Sequence, residues 1–324
     1  MSTLLDRAAT LPLYRAHWHG RTPRALEEAP FVTAWAWRRM VKRHAGALIR
    51  PAVLWALHPV PGDDPVWIPF AHDDVAAEAR RALDVFRDAG LRPGDVVLSV
   101  APEGPWVGNA LPFLMAAADS LVPDRPPLGV QVLPLAVLTV TFRPDLTLFP
   151  FRRLPTVLVG SSVDLHAIAD FARAAGAPPL RCRLLLLSGP ATDPTVVRSF
   201  AETCVSLLHL PGALAPFAGR PDGPGVWLPR DKVRAELIPD AEWGRSIQDP
   251  AYVPRALPAA AAQGLSGELV ATVDDEALPV IRFRTQERVR VLAADAAGVR
   301  ISRIAPSPGV VNGLRSAATS MSRG

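Results

Sequence analysis

Thr156-Val157-Leu158-Val159-Gly160-Ser161-Ser162 reads as a strand running into a polar cap, and the helix that follows carries Leu165, Ile168, Ala169 and Phe171 up to Gly176. Apolar, β-branched residues without polar alternation suit a strand buried on both faces, whereas the spacing after the serines is helical. The same grammar continues downstream. Arg183 to Leu187 reads as a strand, Asp193-Pro194 opens a helix, and Val205 to Leu210 is another strand. Strand, helix, strand, helix, strand implies parallel pairing through right-handed crossovers, so this part of the chain is predicted to be α/β.

Upstream, Asp73 to Ala89 is the clearest helix. Asp73 is the expected N-cap, with His72 beside it in the cap; Val75, Ala79, Ala82, Leu83 and Phe86 form its apolar stripe, and Gly90 closes it in a left-handed conformation. Arg92-Pro93-Gly94-Asp95 is a turn leading into the strand Val96 to Val100. Beyond about Gly223 the pattern changes. Gly267 to Val273, Leu278 to Thr285, Arg288 to Ala293 and Val299 to Ile304 read as strands joined by short turns, an antiparallel β-rich part. Pro254 to Leu265 reads as an Ala- and Pro-rich surface loop, and residues 306–324 as a flexible tail. The expected division is a unit over residues 1–305, with an α/β part over 1–222 and a β-rich part over 223–305.

Composition narrows the function classes. The chain has 324 residues, 49% of them hydrophobic, which is enough for a sizeable core. Its 35 prolines and 22 glycines keep the elements short. Lys and Arg total 35 against 31 Asp and Glu, dispersed in both signs, and no basic stripe alternates with aromatics, so nucleic-acid binding is not expected. Cys182 and Cys204 are the two cysteines, too few for a disulfide scaffold or a thiolate metal site, and Cys204 is expected at a helix end, buried and inert. Residues 1–7 do not read as a signal peptide. The apolar run Leu128 to Phe142, interrupted by Gln131 and Pro134, is shorter than the ~20 residues of a membrane span and reads as a buried strand or two. No membrane partner is expected, and the reducing cytoplasm fits.

Six segments in order resemble the phenylacetate-coenzyme A ligase branch of the adenylate-forming (AMP-binding) superfamily: Pro12 to Arg15 with Glu28 to Thr33, Trp67 to Phe70, the Asp73 helix, Ala89 to Val96, Leu154 to Gly176, and Gly267 to Val270 with Leu278 to Thr285. The resemblance implies the fold of that superfamily's large N-terminal domain, a parallel α/β core with a β-rich subdomain. It implies as well that the mobile C-terminal lid domain, with its catalytic lysine, is absent from this chain. Arg303-Ile304 is similar to the lead-in to that domain's hinge.

Position by position, the resemblance carries little of the chemistry. The family's phosphate loop is rich in Gly, Ser and Thr, because small residues let backbone donors approach the charge. Here Ala56-Leu57-His58-Pro59-Val60-Pro61-Gly62-Asp63-Asp64-Pro65 supplies three prolines without an N–H and two carboxylates, and is expected to be a structural turn. Asp63 and Asp64 are expected to be solvated. The family's aromatic-Gly-Ser/Thr-Thr-Glu segment, whose Glu helps place Mg²⁺, corresponds to Pro211 to Pro216, in which Gly212 alone survives. The family's ribose-binding Asp corresponds to Glu287, reached through Arg282-Phe283-Arg284-Thr285-Gln286. Ser188 and Gly189 fall at an adenine-side turn. The resemblance thus marks Ser188, Gly189, Gly212 and Glu287 as a residual nucleotide pocket and Gly160, Ser161 and Ser162 as an acyl pocket. No catalytic residue and no metal site is assigned; His17 and His19 lack a third ligand and read as packing or surface residues.

The expected function is a degenerate adenylate-forming homologue that has lost ATP-dependent activation. It would act as a non-catalytic binding or partner subunit beside an intact ligase or pathway enzyme, without a cofactor. The alternative is a divergent acid-thiol ligase-like or acyl-adenylating enzyme using ATP, Mg²⁺ and coenzyme A. A small carboxylic acid or an acyl thioester is the expected ligand in either case.

Overall fold

The computed structural model describes residues 3–44, 46–101, 107–108, 114, 126–136, 155–174, 180–189, 194–221, 223–249 and 251–304. The tail over 306–324, the apolar run beyond Ala136, the helix end at Gly176 and the helix opening at Asp193 lie outside them.

Three sheets organise the described chain. The first is parallel: β3 (Val96–Ala101), β4 (Gln131–Ala136), β5 (Val157–Ser161), β6 (Cys182–Ser188) and β7 (Ala201–Leu208) stand in the order β4-β3-β5-β6-β7, and the short β8 (Phe217–Ala218) is antiparallel at one edge. Alternate side chains of these strands feed two separate cores. Leu98, Leu158, Leu185 and Leu187 pack with Leu165 and Ile168 of α5 (Ser162–Ala174), while Val97, Val157, Val159, Leu184 and Leu186 join the main core with Phe86 of α4 (His72–Asp88). Burial on both faces is why these strands read as unbroken apolar runs.

The second sheet is antiparallel, in the order β11 (Leu257–Pro258), β10 (Val233–Pro239), β12 (Ser266–Val273), β13 (Val280–Ala294), β14 (Gly298–Arg303), β9 (Val226–Pro229). The two strands expected around Leu278 to Ala293 are one 15-residue strand, bent rather than broken. Arg282 (φ 46°) and Gln286 (φ 57°) take left-handed backbone, which a non-glycine residue holds only when its surroundings repay the strain. Arg282 is repaid by a buried fork to Glu236 (2.9 and 2.8 Å), bonds to the Glu27 and Ala29 carbonyls, and stacking on Phe31. The Ala/Pro stretch expected as a surface loop is partly interior: it forms β11 and a 3-10 turn whose Ala259 and Ala262 are buried.

The third sheet is a hairpin of β1 (Leu54–Val60) and β2 (Asp63–Phe70), closed by Pro61-Gly62 with Gly62 left-handed. Most of the segment expected as a turn is therefore strand. Asp63 is engaged by Arg38 (2.9 Å) and Gln286 (3.3 Å) rather than solvated, whereas Asp64 is exposed. The N-terminal helices lock onto β13 through Tyr14, whose hydroxyl donates to the Pro279 carbonyl (2.7 Å) and accepts from the Ile281 N–H (3.0 Å).

The expected N-cap at Asp73 is a correction: the helix begins one residue earlier, and the carboxylate at its N-terminus belongs to Asp74. Asp74 accepts from the Ala71 N–H and, across the fold, from the Glu276 and Ala277 N–H groups (2.7 and 3.0 Å). Asp73 faces solvent because the helix registers on its apolar stripe. The other end follows expectation, with Gly90 left-handed and the Leu91 N–H reaching the Phe86 carbonyl (2.9 Å). Cys204 is also corrected: it lies within β7, not at a helix end, and it is exposed.

Between α4 and the antiparallel sheet lies a buried ionic cluster. Glu78 accepts from Arg81 (2.7 Å) and from the Ala215 N–H (2.8 Å), and Lys232 bridges Glu78 (3.0 Å) and Asp275 (2.9 Å). Arg81 also donates to the Pro216 (2.9 Å) and Ala215 carbonyls and stacks on Phe217. Burial alone would raise the Glu78 carboxyl, but Arg81 and Lys232 overcome it and hold it at about 2. Burial wins at Asp275, pushed up to about 7 despite Lys232.

Truncating Glu78 leaves the buried Arg81 guanidinium without its carboxylate and Lys232 with Asp275 alone, so Glu78→Ala is expected to lose about 3–5 kcal/mol in urea denaturation. Asp275 has a folded pKa above its unfolded 3.8, so its stabilising contribution is full below pH 3.8 and is lost as pH rises through about 7. The urea midpoint of Asp275→Asn is therefore expected to fall less between pH 5 and pH 8 than that of the wild type.

Candidate functional site

Parallel strands leave a crevice at their carboxyl ends where successive crossovers diverge. Here β3 is flanked by β4 on one side and β5 on the other, and at this divergence lies a cavity of about 480 Å³. Ser99 and Val100 of β3, Val159, Gly160 and Ser161 of β5, and Ser188 and Gly189 at the end of β6 form its floor. Pro59, Val60 and Pro61 of the hairpin close one side, and Glu287 of β13 with Arg303 of β14 close another. Val163, at the start of α5, is exposed at the rim.

Of the sequence-marked residues, Gly160, Ser161, Ser188, Gly189 and Glu287 meet in this cavity, although they come from different elements. Ser162 and Gly212 are not among its described lining residues. Ser162 is buried in the first turn of α5. Gly212 lies against the antiparallel sheet with φ 89°, where a Cβ would come within 2.9 Å of Val273 and of Val280. Its smallness serves packing between loop and sheet.

The polar groups that line the cavity are mostly occupied. Ser161 and Asp164 cap α5 reciprocally: the Ser161 N–H and hydroxyl donate to the Asp164 carboxylate (3.0 and 2.6 Å), and the Asp164 N–H donates to the Ser161 hydroxyl (3.2 Å). Glu287 accepts a fork from Arg303 (3.2 and 2.6 Å), and Arg303 also reaches the Leu207 carbonyl (3.1 Å). Arg303, which the sequence likened to a hinge lead-in, is thus the counter-ion of the residue marked for ribose contact.

Sequence reasoning missed His209, just past β7 in the cavity wall, and the inward-facing His58 of β1. None of the four ring nitrogens has a hydrogen-bond partner. Burial lowers His58 to about 3 and His209 to about 4, the first with repulsion from His209 and the second with repulsion from Arg303 and Arg81. A signal existed for His209, the residue that follows a parallel strand at its carboxyl end. His58 had none; it is buried in the hairpin and is not among the cavity's described lining residues.

The described residues do not suit a triphosphate with its metal. Pro59 and Pro61 offer no N–H, and the charged lining residues are Asp164, Glu287 and an Arg303 already neutralised by Glu287. Among the described residues there is no group of three or more His, Cys, Asp or Glu side chains that could hold a metal ion, and His17 and His19 gain no third ligand. No helix among them is long and apolar enough to cross a membrane.

The sequence matches no protein-family model and no curated protein. Solved structures do share its fold. An open conformation of 2-hydroxyisobutyryl-CoA ligase in complex with 2-HIB-AMP and CoA is 18% identical with a TM-score of 0.62, over 92% of this chain and 67% of that one. The same ligase in its thioesterification state, also with 2-HIB-AMP and CoA, is 17% identical with a TM-score of 0.65 over the same shares. In the postadenylation state with 2-HIB-AMP it is 18% identical with a TM-score of 0.65, over 92% and 65%. This chain thus spans about two thirds of their length, and its architecture is that of the N-terminal domain of adenylate-forming ligases.

Gly212→Ala is expected to cost roughly 1–3 kcal/mol in thermal or urea denaturation, from left-handed strain and contact with Val273 and Val280. Ligand occupancy of the cavity should not change.

Proposed function

We propose that this chain is a non-adenylating member of the fold, related to the phenylacetate-coenzyme A ligase-like branch, that binds a small carboxylic acid or its acyl thioester as a partner subunit in a biosynthetic pathway. The observation that carries this reading is the proline-walled hairpin turn, Pro59 to Pro61, at the cavity. In the branch it resembles, the corresponding segment is a Gly/Ser/Thr loop that surrounds the ATP phosphates. The Glu287–Arg303 fork supports it too, because a ribose hydroxyl would compete with a charge-assisted pair for the same carboxylate. Activation of the acid would fall to an intact ligase or another pathway enzyme, and the cytoplasm is the proposed compartment. Residues 1–222 and 223–305 are the proposed parts of the unit, with 306–324 as tail.

A second reading, a divergent ligase that activates a carboxylate with ATP, Mg²⁺ and coenzyme A, draws on two observations. The similar structures hold 2-HIB-AMP and CoA, and Ser188, Gly189 and Glu287 converge on an open cavity. On that reading the three would form the nucleotide side and Gly160 and Ser161 the acyl side.

Isothermal titration separates the two. The first expects no ATP–Mg²⁺ binding by the isolated chain and binding of one or more members of a panel of small acids and acyl thioesters. Val163→Trp, a change at an exposed rim position, should abolish that binding while leaving thermal stability within about 0.5 kcal/mol. Micromolar ATP–Mg²⁺ binding, or pyrophosphate exchange with any acid of the panel, would establish the second reading instead.

A further inference from the structure

A charged group leaves water for a cavity only where an opposite charge or directed hydrogen bonds replace its hydration. The described wall of this cavity offers little of either to an anion. Its charged residues are two carboxylates, Asp164 and Glu287, and one cation, Arg303. Arg303 is compensated by the Glu287 fork (3.2 and 2.6 Å), and its Nη1 donates to the Leu207 carbonyl (3.1 Å). Asp164 accepts two hydrogen bonds from Ser161 (3.0 and 2.6 Å) but pairs with no cation among the described residues. The described lining therefore carries one negative charge in excess.

Neither the helix end nor the hairpin makes up the deficit. The N-terminus of α5, a place where N–H groups and the helix dipole favour an anion, already carries a carboxylate of its own, Asp164, in its reciprocal cap. Pro59 and Pro61 on the hairpin side have no N–H to offer. What remains is neutral. Val60, Val100, Val107, Val159 and Val163 supply apolar surface, and the half-buried Ser188 hydroxyl, which no described residue engages, supplies an O–H donor suited to a carbonyl oxygen.

We infer that the cavity takes its acyl ligand uncharged, as a thioester or another neutral acyl derivative, and discriminates against the free carboxylate. The inference rests on the reading of this cavity as the ligand site and chooses between the two forms of ligand which that reading admits. Glu287 sets the preference, because it compensates the cation that a carboxylate would otherwise meet. The chain then stands after the activation step: a reaction that condenses an acid with a thiol must supply what it binds.

The test compares each acid with its isosteric amide, from which it differs in charge and little else: butanoate against butanamide and hexanoate against hexanamide, with S-hexanoyl-N-acetylcysteamine as the thioester. Each is titrated calorimetrically into the whole chain at neutral pH. At least one amide, and the thioester, should bind about 10-fold or more tightly than the matching carboxylate, as expected where like charges meet. The ratio should fall to about 2-fold or less in Glu287→Gln, which leaves Arg303 uncompensated. It should fall as well in Asp164→Asn, which keeps the comparison open if Glu287→Gln does not fold. Equal affinities within each pair, or tighter carboxylates, overturn the inference while leaving the cavity as a ligand site. A ratio unchanged in every variant that folds also overturns it, since the charge is then read elsewhere. Binding of all five compounds that persists in Val163→Trp, or no binding by any of them, defeats the inference together with the reading of the cavity beneath it.

Discussion

The buried cluster of Glu78, Arg81, Lys232 and Asp275 constrains everything around it. Charges removed from water are costly unless each finds an opposite charge or a hydrogen-bonding group, so their partners are held to narrow geometry. Glu78 and Arg81 project from α4, Lys232 from the turn between β9 and β10, and Asp275 from the turn after β12. The backbone at Ala215 and Pro216 is drawn into the same network. Helix, antiparallel sheet and the segment between β7 and β8 are therefore pinned at one point, and Gly212 packs against the sheet because that segment is held there.

The cavity inherits its shape from this pinning. His209 enters the wall because the chain leaving β7 must run directly to the clamped backbone at Ala215. A second constraint acts from the other side: the Arg282–Glu236 fork and the contacts of Arg282 with Glu27, Ala29 and Phe31 hold β13 through its left-handed positions. That bend delivers Glu287 to the cavity and to Arg303. Gln286, at the second left-handed residue, also reaches Asp63, so the hairpin that carries Pro59 and Pro61 is tied to the strand that carries Glu287. The result is a pocket whose described charged residues are already engaged, Glu287 by Arg303 and Asp164 by Ser161.

Local chemistry made several features legible. The run Thr156 to Gly160 and its serine cap could be little but a strand entering a helix, and Gly90 supplies the left-handed residue that closes α4. Parallel order followed from alternation of strands and helices, which is a property of the chain itself. The misreadings share one cause, that a distant partner outweighed a local preference. Asp73 had the local character of a cap, but Asp74 has Glu276 and Ala277 to bond as well as Ala71. A break was expected between Thr285 and Arg288, yet pairing to β12 resumes across an irregularity, Val270 opposite Arg284 and Glu268 opposite Arg288, so one bent strand runs through it.

The sequence by itself determined the alternation of parallel strands and helices, the β-rich character of the later part, and the three prolines of the segment that folds as the β1–β2 hairpin. These depend on residue type and on spacings within a few turns of chain. Only the tertiary structure decided which marked residues share a cavity, that Gly212 and Ser162 stand outside its described lining, that Glu287 is spent on Arg303, and that the ring nitrogens of His58 and His209 are buried without partners. Those facts depend on desolvation and on pairings between residues 16 to more than 200 positions apart, such as Arg303 with Glu287 and Gln286 with Asp63. No short-range pattern of apolar and polar residues encodes them, because burial and partnership exist only once the three sheets have closed on one another.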